Sequence, residues 1–464
     1  MPNILSNNPP EVPRFRWIPE ARRTLQLALP IMLGNLAGLA MNFVDTVMAG
    51  RLGVLALGAV ALGGALWSAV FLFGLGVMLA LPAVIAQLDG AGLRRQAGVV
   101  LRQALWLAVL IAALLWTVAH FARPVFAFLA VAPEVAARGA EYLAAMAHGA
   151  PAIAGLLALR FFSEGIGHTR PTMYFGFLGV ALNVPLNYWF MYGGFGIPAL
   201  GVVGIGWATA AVFWIQFLVW VLWIATQRVY RPYYPFVRFD KPHLRRLGRL
   251  LATGLPVGVM VAVEGSLFVA AALLIGRLGA VPIAAHQVAV NVAALTFMVP
   301  LGLAGAITVR VGNALGRGDP CAARFQGLLG IALALLIQTL PAGLMLGVPG
   351  LIVALYTADP TVAPLAVVLL GLAAVFQWSD GVQVVSAGAL RGLKDTRIPM
   401  VYTIIAYWLV GLTSGVVLTF KLNWGASGMW VGMITGLTAA ALLLAARFYR
   451  SAGRLIAEHE RRAT

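Results

Sequence analysis

Apolar blocks of roughly twenty residues, divided by short polar and basic stretches, fill the chain from about Leu25 to Ala446. A helix that crosses a bilayer needs about 20 mostly apolar residues. In the first half of the chain that length is met at Leu25–Ala49, Leu57–Ile85, Val99–Ala119, Ala140–Leu159, Pro171–Tyr192 and Val202–Thr226. In the second half it is met at Leu250–Ile275, Ile283–Val309, Leu328–Leu346, Val362–Ala389, Ile398–Phe420 and Gly428–Ala446. The pattern predicts an all-α membrane protein with twelve transmembrane helices.

Composition agrees. The 464 residues are 61% hydrophobic and 10% charged, whereas a soluble domain carries about 25% charged residues. A net charge of +17 would suit nucleic acid, but the basic residues alternate with the apolar blocks. With the N-terminus inside, 27 of the 32 Lys and Arg fall in inside segments; only Arg51, Arg123, Arg138, Arg277 and Lys421 fall outside. Inside loops concentrate positive charge, so both termini are expected in the cytoplasm, and no nucleic-acid partner is implied. Residues 1–20 lack an apolar core and read as a disordered tail, not a signal peptide. The lone Cys321 cannot form an intrachain disulfide. The expected organisation is a tail (1–24), a first lobe (25–226), a basic linker (227–249), a second lobe (250–446) and a C-terminal tail (447–464).

The halves repeat. Pro30 precedes Gly50-Arg51-Leu52-Gly53 by the same spacing as Pro256 precedes Gly276-Arg277-Leu278-Gly279, an offset of 226 residues. At that offset Gly76 meets Gly302, Gly90 meets Gly316 and Gly92 meets Gly318. Gly165-x-x-x-Thr169-Arg170 likewise meets Gly392-x-x-x-Thr396-Arg397. An even number of spans separates matched positions, so two six-helix lobes run in the same orientation. Parallel repeats of this kind are a transporter architecture.

The acids carry the chemistry. Of fifteen Asp and Glu, only Asp45, Glu264 and Asp380 lie deep in apolar sequence; Glu141 and Glu164 lie near span ends, where they can snorkel. A charged side chain at a helix centre costs on the order of 3 kcal/mol or more, and no Lys or Arg lies mid-span to pair with these three. Glu264 and Asp380 can share a cavity and compete for one proton or Na⁺. Gln383, Gln287 and Asn291 are candidate neutral ligands beside them. Asp45 has Asn35 and Asn42 on its face, and Asn183 and Asn187 stand one turn apart on the fifth span around Pro185. Carboxylate, amide and carbonyl oxygens suit a hard cation such as Na⁺; a proton alone also fits. His148 and His286 read as packed or backbone-bonded imidazoles, and Gly316-Arg-Gly-Asp319 as a turn. No ATP-binding loop, zinc pair or nucleophile elbow appears, so neither an enzyme nor a resident cofactor is expected.

These residues carry a resemblance. Asn42-Phe-Val-Asp-Thr-Val-Met-Ala-Gly-Arg-Leu-Gly53, Leu159-Arg-Phe-Phe-Ser-Glu-Gly-Ile-Gly-His-Thr-Arg-Pro171 and Asn183-x-Pro-Leu-Asn187-Tyr resemble the multidrug and toxic compound extrusion (MATE) family. So do Ala285-His-Gln-Val-Ala289 and Gly388-Ala-Leu-Arg-Gly-Leu-Lys-Asp-Thr-Arg397. Glu264 with Asp380 resembles its NorM-type bacterial branch. The resemblance implies two lobes in a V-shaped arrangement in a bacterial inner membrane. It also implies export of bulky, often cationic aromatic drugs against inward Na⁺ or H⁺. Asp45, Asn183 and Asn187 would form the N-lobe cation or proton site, and Glu264 and Asp380 the C-lobe site. Phe376 stands where some members carry Tyr, one turn before Asp380. A monomer is expected, with the lipid bilayer and toxic organic cations as partners. A lipid-linked saccharide flippase is the alternative; it would want basic residues facing a pyrophosphate, and the spans offer acids instead.

Overall fold

The computed structural model describes residues 16–194, 196, 198–237 and 240–463. The first fifteen residues of the expected tail lie outside the described residues. Helices dominate throughout: α1 (Trp17–Arg51), α2 (Val54–Met78), α3 (Leu81–Gly90), α4 (Arg94–His120), α5 (Ala122–Phe128), α6 (Pro133–Ala147) and α7 (Ala150–Gly165). They continue as α8 (Arg170–Tyr192), α9 (Val202–Thr226), α10 (Leu244–Gly276), α11 (Ala280–Gly316), α12 (Pro320–Gly347), α13 (Pro349–Ala354) and α14 (Ala363–Gly392). The last two are α15 (Arg397–Lys421) and α16 (Gly425–Ala463).

Among the described residues, ten helical stretches are long and apolar enough to span a membrane, with α6 and α7, bent by 51°, as an eleventh. The expected fifth span is present as α8, but its Asn183, Pro185 and Asn187 dilute its apolar run, and it is not among them. The expected second span is continuous in depth yet broken at Leu79–Ala80, where α2 gives way to α3. Within α15, Ile405–Leu412 and Val417–Lys421 widen to π-helix.

Three expected boundaries shift. The tail is helical from Trp17, and the linker turns into α10 at Leu244. Residues expected as a C-terminal tail continue α16 to Ala463, with Arg447 Nε pairing to Asp395 at 2.8 Å. The linker is also more than a tether. Tyr233 donates to Asp89 at 2.5 Å, Tyr230 bonds Ser163 at 2.5 Å, and Arg102 bridges Asp240 at 2.7 Å and the Tyr234 carbonyl at 2.7 Å. These contacts fasten it to the N-terminal half.

The repeat is visible in the backbone. Gly53 and Gly279, matched in sequence, start α2 and α11 at φ of 109° and 117°, a region open to glycine alone at little cost. The halves meet through reciprocal pairs. A Cβ on Gly90 would lie 2.2 Å from the Asn313 carbonyl oxygen, and one on Gly316 would lie 2.2 Å from that of Gln87. Subtracting 226 from 313 gives 87, so each pair is the other's repeat image. Gly76 against Gly258 and Gly302 against Met32 obey the same rule. Reciprocity of this kind is what a two-fold contact produces.

The hydrogen bonds that join the halves gather at the basic end of the molecule. Arg310 of α11 pairs with Glu20 and bonds Thr24 at 2.5 Å. Asn313 donates to Asp89 at 3.2 Å, and Gln87 Nε2 donates to the Gly392 carbonyl at 2.8 Å. Toward the other end, α1 and α11 present exposed side chains, Asn42 on one and Gln287 and Asn291 on the other.

Candidate ion-coupling sites

Asp45 lies inside the N-terminal half and is 6% exposed. Helix α8 brings Asn183 and Asn187, one turn apart, onto it. Asn183 Nδ2 and Asn187 Nδ2 donate to Asp45 Oδ1 at 3.0 and 2.6 Å. From α9, Thr209 Oγ1 donates to Asp45 Oδ2 at 3.2 Å. The carboxylate is therefore held by neutral donors, with no ion pair to it among the described residues. The Asn187 Oδ1 atom has no partner, although Asn187 is fully buried. Carboxylate, spare amide oxygen and hydroxyl together form a donor set that fits a hard monovalent cation; a proton on Asp45 would fit the same pocket.

The sequence pointed to Asp45, Asn183 and Asn187, and the structure brings them together. Thr209 was missed: a single hydroxyl among alanines in α9 reads as packing. Asn42 does not join; its side chain is exposed, and its carbonyl takes the Thr46 hydroxyl at 2.9 Å. Asn35 points elsewhere too, accepting from Arg160 at 2.6 Å. Arg160 in turn pairs with Glu164 at 2.7 Å, and Thr172 donates to the same oxygen at 3.0 Å. Glu164 is 3% exposed, so the expectation that it snorkels to water is corrected: Arg160 neutralises it inside the half. Glu141, half-buried and paired with Arg138 at 3.1 Å, does reach the surface region.

In the C-terminal half, Asp380 on α14 is buried at 2% exposure, and Glu264 on α10 is half-buried. Each lies within electrostatic reach of the Tyr407 phenol of α15, and Asp380 lies within reach of Glu264. Neither acid forms an ion pair among the described residues. Gln383 is buried one turn beyond Asp380 with Oε1 unpartnered. Gln287 and Asn291 are exposed and bond each other at 3.4 Å, so the structure does not bring them to the acids. Phe376 packs its ring edge-on against Phe268 and Trp430, at 6.0 and 5.9 Å. Tyr407 of α15 is buried with its hydroxyl unpartnered. Arg391, expected in an inside segment, is buried in the last turn of α14.

The histidines behave as packed residues. Trp430 Nε1 donates to His286 Nδ1 at 3.1 Å, and His148 Nδ1 meets the Ala144 carbonyl at 2.9 Å. Asp319 caps α12, accepting from the Ala322 backbone at 2.8 Å, so Gly316-Arg-Gly-Asp319 is a turn. No cluster of three or more His, Cys, Asp or Glu that could hold a metal occurs among the described residues. Between α1 and α8, Phe43, Val47, Met48, Pro185, Tyr188 and Trp189 line an apolar groove of about 820 Å³, with Arg51 also among its walls.

With this geometry in hand, comparison with known proteins gives a consistent result. The MatE family model matches the chain twice, at residues 30–189 and 256–417. The chain belongs to the MatE family. The two matches begin at Pro30 and Pro256, 226 residues apart, as the internal repeat does. Among relatives of this MatE protein is the multidrug resistance protein PmpM of Pseudomonas aeruginosa, 44% identical over 98% of this chain and 97% of its own length. A probable multidrug resistance protein NorM of Xanthomonas campestris is 43% identical over 98% and 99%. The fold matches the eukaryotic MATE transporter AtDTX14 with a TM-score of 0.86 at 19% identity, covering 96% and 99% of the two chains. An outward-facing multidrug resistance MATE family transporter matches with a TM-score of 0.86 at 20% identity, over 94% and 96%. The family is one of multi-pass membrane transporters.

Proposed function

We propose that this MatE protein is a secondary active multidrug efflux antiporter. It exports bulky, often cationic aromatic compounds in exchange for inward Na⁺ or H⁺. In this reading, twelve helices form two lobes that open as a V, with residues 25–226 and 250–446 as the lobes and the basic end in the cytoplasm. The observation that carries the reading is the state of Asp45 and Asp380: buried acids in apolar helices, without an ion-pair partner. Such groups are costly unless a mobile positive charge visits them.

Antiport then follows from competition between two occupants. Cation at Asp45 and at the Glu264–Asp380 pair stabilises one arrangement of the lobes, and cargo stabilises the other, so each expels its rival. Asn183, Asn187 and Thr209 orient the Asp45 carboxylate; Tyr407 stands beside the second pair. The aromatic groove along α1 and α8 has the size of a drug-binding pocket. The membrane potential supplies about 2.3 kcal/mol per charge per 100 mV, enough to drive accumulation without ATP.

The test is ethidium transport by the purified protein in liposomes, under an imposed Na⁺ gradient and, separately, an imposed pH gradient. At least one gradient should drive uptake against the ethidium gradient. Transport that ignores both gradients would overturn the proposal.

A further inference from the structure

Helices α1 and α8 enclose Asp45 with one set of faces and leave another set open. On α1 the buried row Met41, Asp45 and Ala49 turns inward. Phe43, Val47 and Arg51, each two residues further along, lie exposed and nearly opposite that row. On α8 Asn183 and Asn187 are buried, while Val184 and Tyr188 are exposed. These exposed side chains, with Trp189, line the groove of about 820 Å³. Phe43 and Arg51 are eight residues apart, about 12 Å along the helix. One leaflet's share of the hydrocarbon core is about 15 Å deep. The groove therefore runs through most of one leaflet, at the end of the molecule away from the basic end.

One charge stands in its wall. Among the described residues Arg51 has no ion-pair partner. Its repeat image is provided for within the chain: Arg277 lies over the Phe420 ring of α15, 5.8 Å from its centre. Gly165 and Gly392, matched just before α8 and α15, are 227 residues apart. At that spacing the counterpart of Phe420 is Gly193, and Tyr188 and Trp189 stand where α15 has Gly415 and Val416. The N-terminal half thus has open space and aromatic walls where the C-terminal half sets a ring under the guanidinium. The groove's size admits a drug, but a lone guanidinium has the wrong sign for the cationic cargo proposed above. It has the right sign and the right fork for a phosphate. Tyr and Trp beside it are the residues that gather at the level of lipid headgroups.

We infer that the groove between α1 and α8 is a binding site for an anionic phospholipid of the surrounding membrane. The phosphate sits on Arg51, and an acyl chain lies along Val47, Tyr188 and Phe43. A basic group between transmembrane helices, with an apolar channel leading from it into the bilayer, is what lipid headgroup recognition requires. Pro185, which stands between Asn183 and Asn187, is part of the groove wall, so the lipid lies against the helix pair that holds Asp45. The inference needs the groove and a multi-pass membrane protein; it does not depend on which ion, if any, drives transport.

The test is native mass spectrometry of the purified full-length protein, titrated with palmitoyl-oleoyl phosphatidylglycerol. A parallel titration uses the diacylglycerol with the same chains and no phosphate. The unaltered protein should hold its tightest phosphatidylglycerol roughly ten-fold more strongly than the diacylglycerol, as one charge-assisted contact gives. Arg51→Gln should remove that preference. Arg277→Gln, the same loss of charge at the repeat image, should leave it within about two-fold. Val47→Trp fills the groove and keeps Arg51, so it should weaken both lipids severalfold. Arg51 and Val47 are both exposed, so these variants leave the buried packing intact.

The inference is overturned if Arg51→Gln binds phosphatidylglycerol as the unaltered protein does, or if Arg277→Gln loses the preference equally. An effect of Arg51→Gln with none of Val47→Trp would put the phosphate outside the groove and overturn it as well. Displacement of phosphatidylglycerol by ethidium, with tighter ethidium binding in Arg51→Gln, would make the groove a cargo site instead. None of these results bears on gradient-driven transport, which stands or falls on its own experiment.

Discussion

Closure of the basic end can be weakened without touching an acid. A methyl group on Gly90 would sit 2.2 Å from the Asn313 carbonyl oxygen, roughly 1 Å inside ordinary van der Waals distance. Gly90 closes α3 and the atom it meets is backbone of α11, so relief requires these two segments to separate. Overpacking of this kind costs about 1–3 kcal/mol. The clash exists only while the halves are closed here, so the cost falls on that arrangement and not on either half's fold. About 2 kcal/mol changes a two-state ratio by roughly 30-fold. Gly316→Ala, its repeat image against Gln87, should act equally.

The native Cys321, exposed at the start of α12, offers a spin-label site on one half. Leu93, exposed after α3, can be changed to Cys as a site on the other. Pulsed electron–electron distances between the labels should show one short population in the parent and a growing long population in Gly90→Ala and Gly316→Ala. Distances unchanged in both variants, with the protein intact, would refute the reasoning.

Other outcomes follow from the polar contacts. Glu164→Ala leaves half-buried Arg160 with Asn35 alone and should cost about 1–3 kcal/mol of stability, lowering the Tm of the purified protein more than it lowers ethidium affinity. Thr209→Val removes one donor to Asp45 and should alter the cation concentration for half-maximal transport severalfold, about 1 kcal/mol for one hydrogen bond, with Tm little changed. Burial pushes the Tyr230 phenol from 10.0 up to about 12. A folded-state pKa raised in this way contributes stability below pH 10 that is lost as pH climbs toward 12. Tyr230→Phe should therefore flatten the decline of Tm over that window, and an identical slope would contradict the assignment.

Much of this architecture is legible from residue spacing. The matched Gly-Arg-Leu-Gly stretches announce two helix starts that only glycine accommodates, at Gly53 and Gly279. Asn183 and Asn187, one turn apart in apolar sequence, announce a face aimed at a partner acid. What spacing along one helix does not give is which helices meet. Asn35 shares a helix with Asp45 but sits ten residues away, about 15 Å lower, and serves Arg160 instead. Thr209 reaches Asp45 from α9, where the other buried polar side chain of the same face, Gln216, bonds the Phe175 carbonyl instead. Arg391 is the sharper lesson: a side chain counted toward the basic end is buried, and charge sidedness carries no information on burial. Pro171–Tyr192 reads as a span from its length, yet α8 falls outside the ten most apolar stretches because it carries Asn183, Pro185 and Asn187.

The central claim is that mobile cations reach buried acids and drive cargo outward. It is tested most directly by ethidium accumulation in everted membrane vesicles under the gradient found to drive transport, with Asp380→Asn and Asp45→Asn compared at matched protein levels. The account predicts that Asp380→Asn abolishes accumulation while the protein remains in the membrane and still binds ethidium, and that Asp45→Asn impairs it severely. Full accumulation by both variants would contradict it.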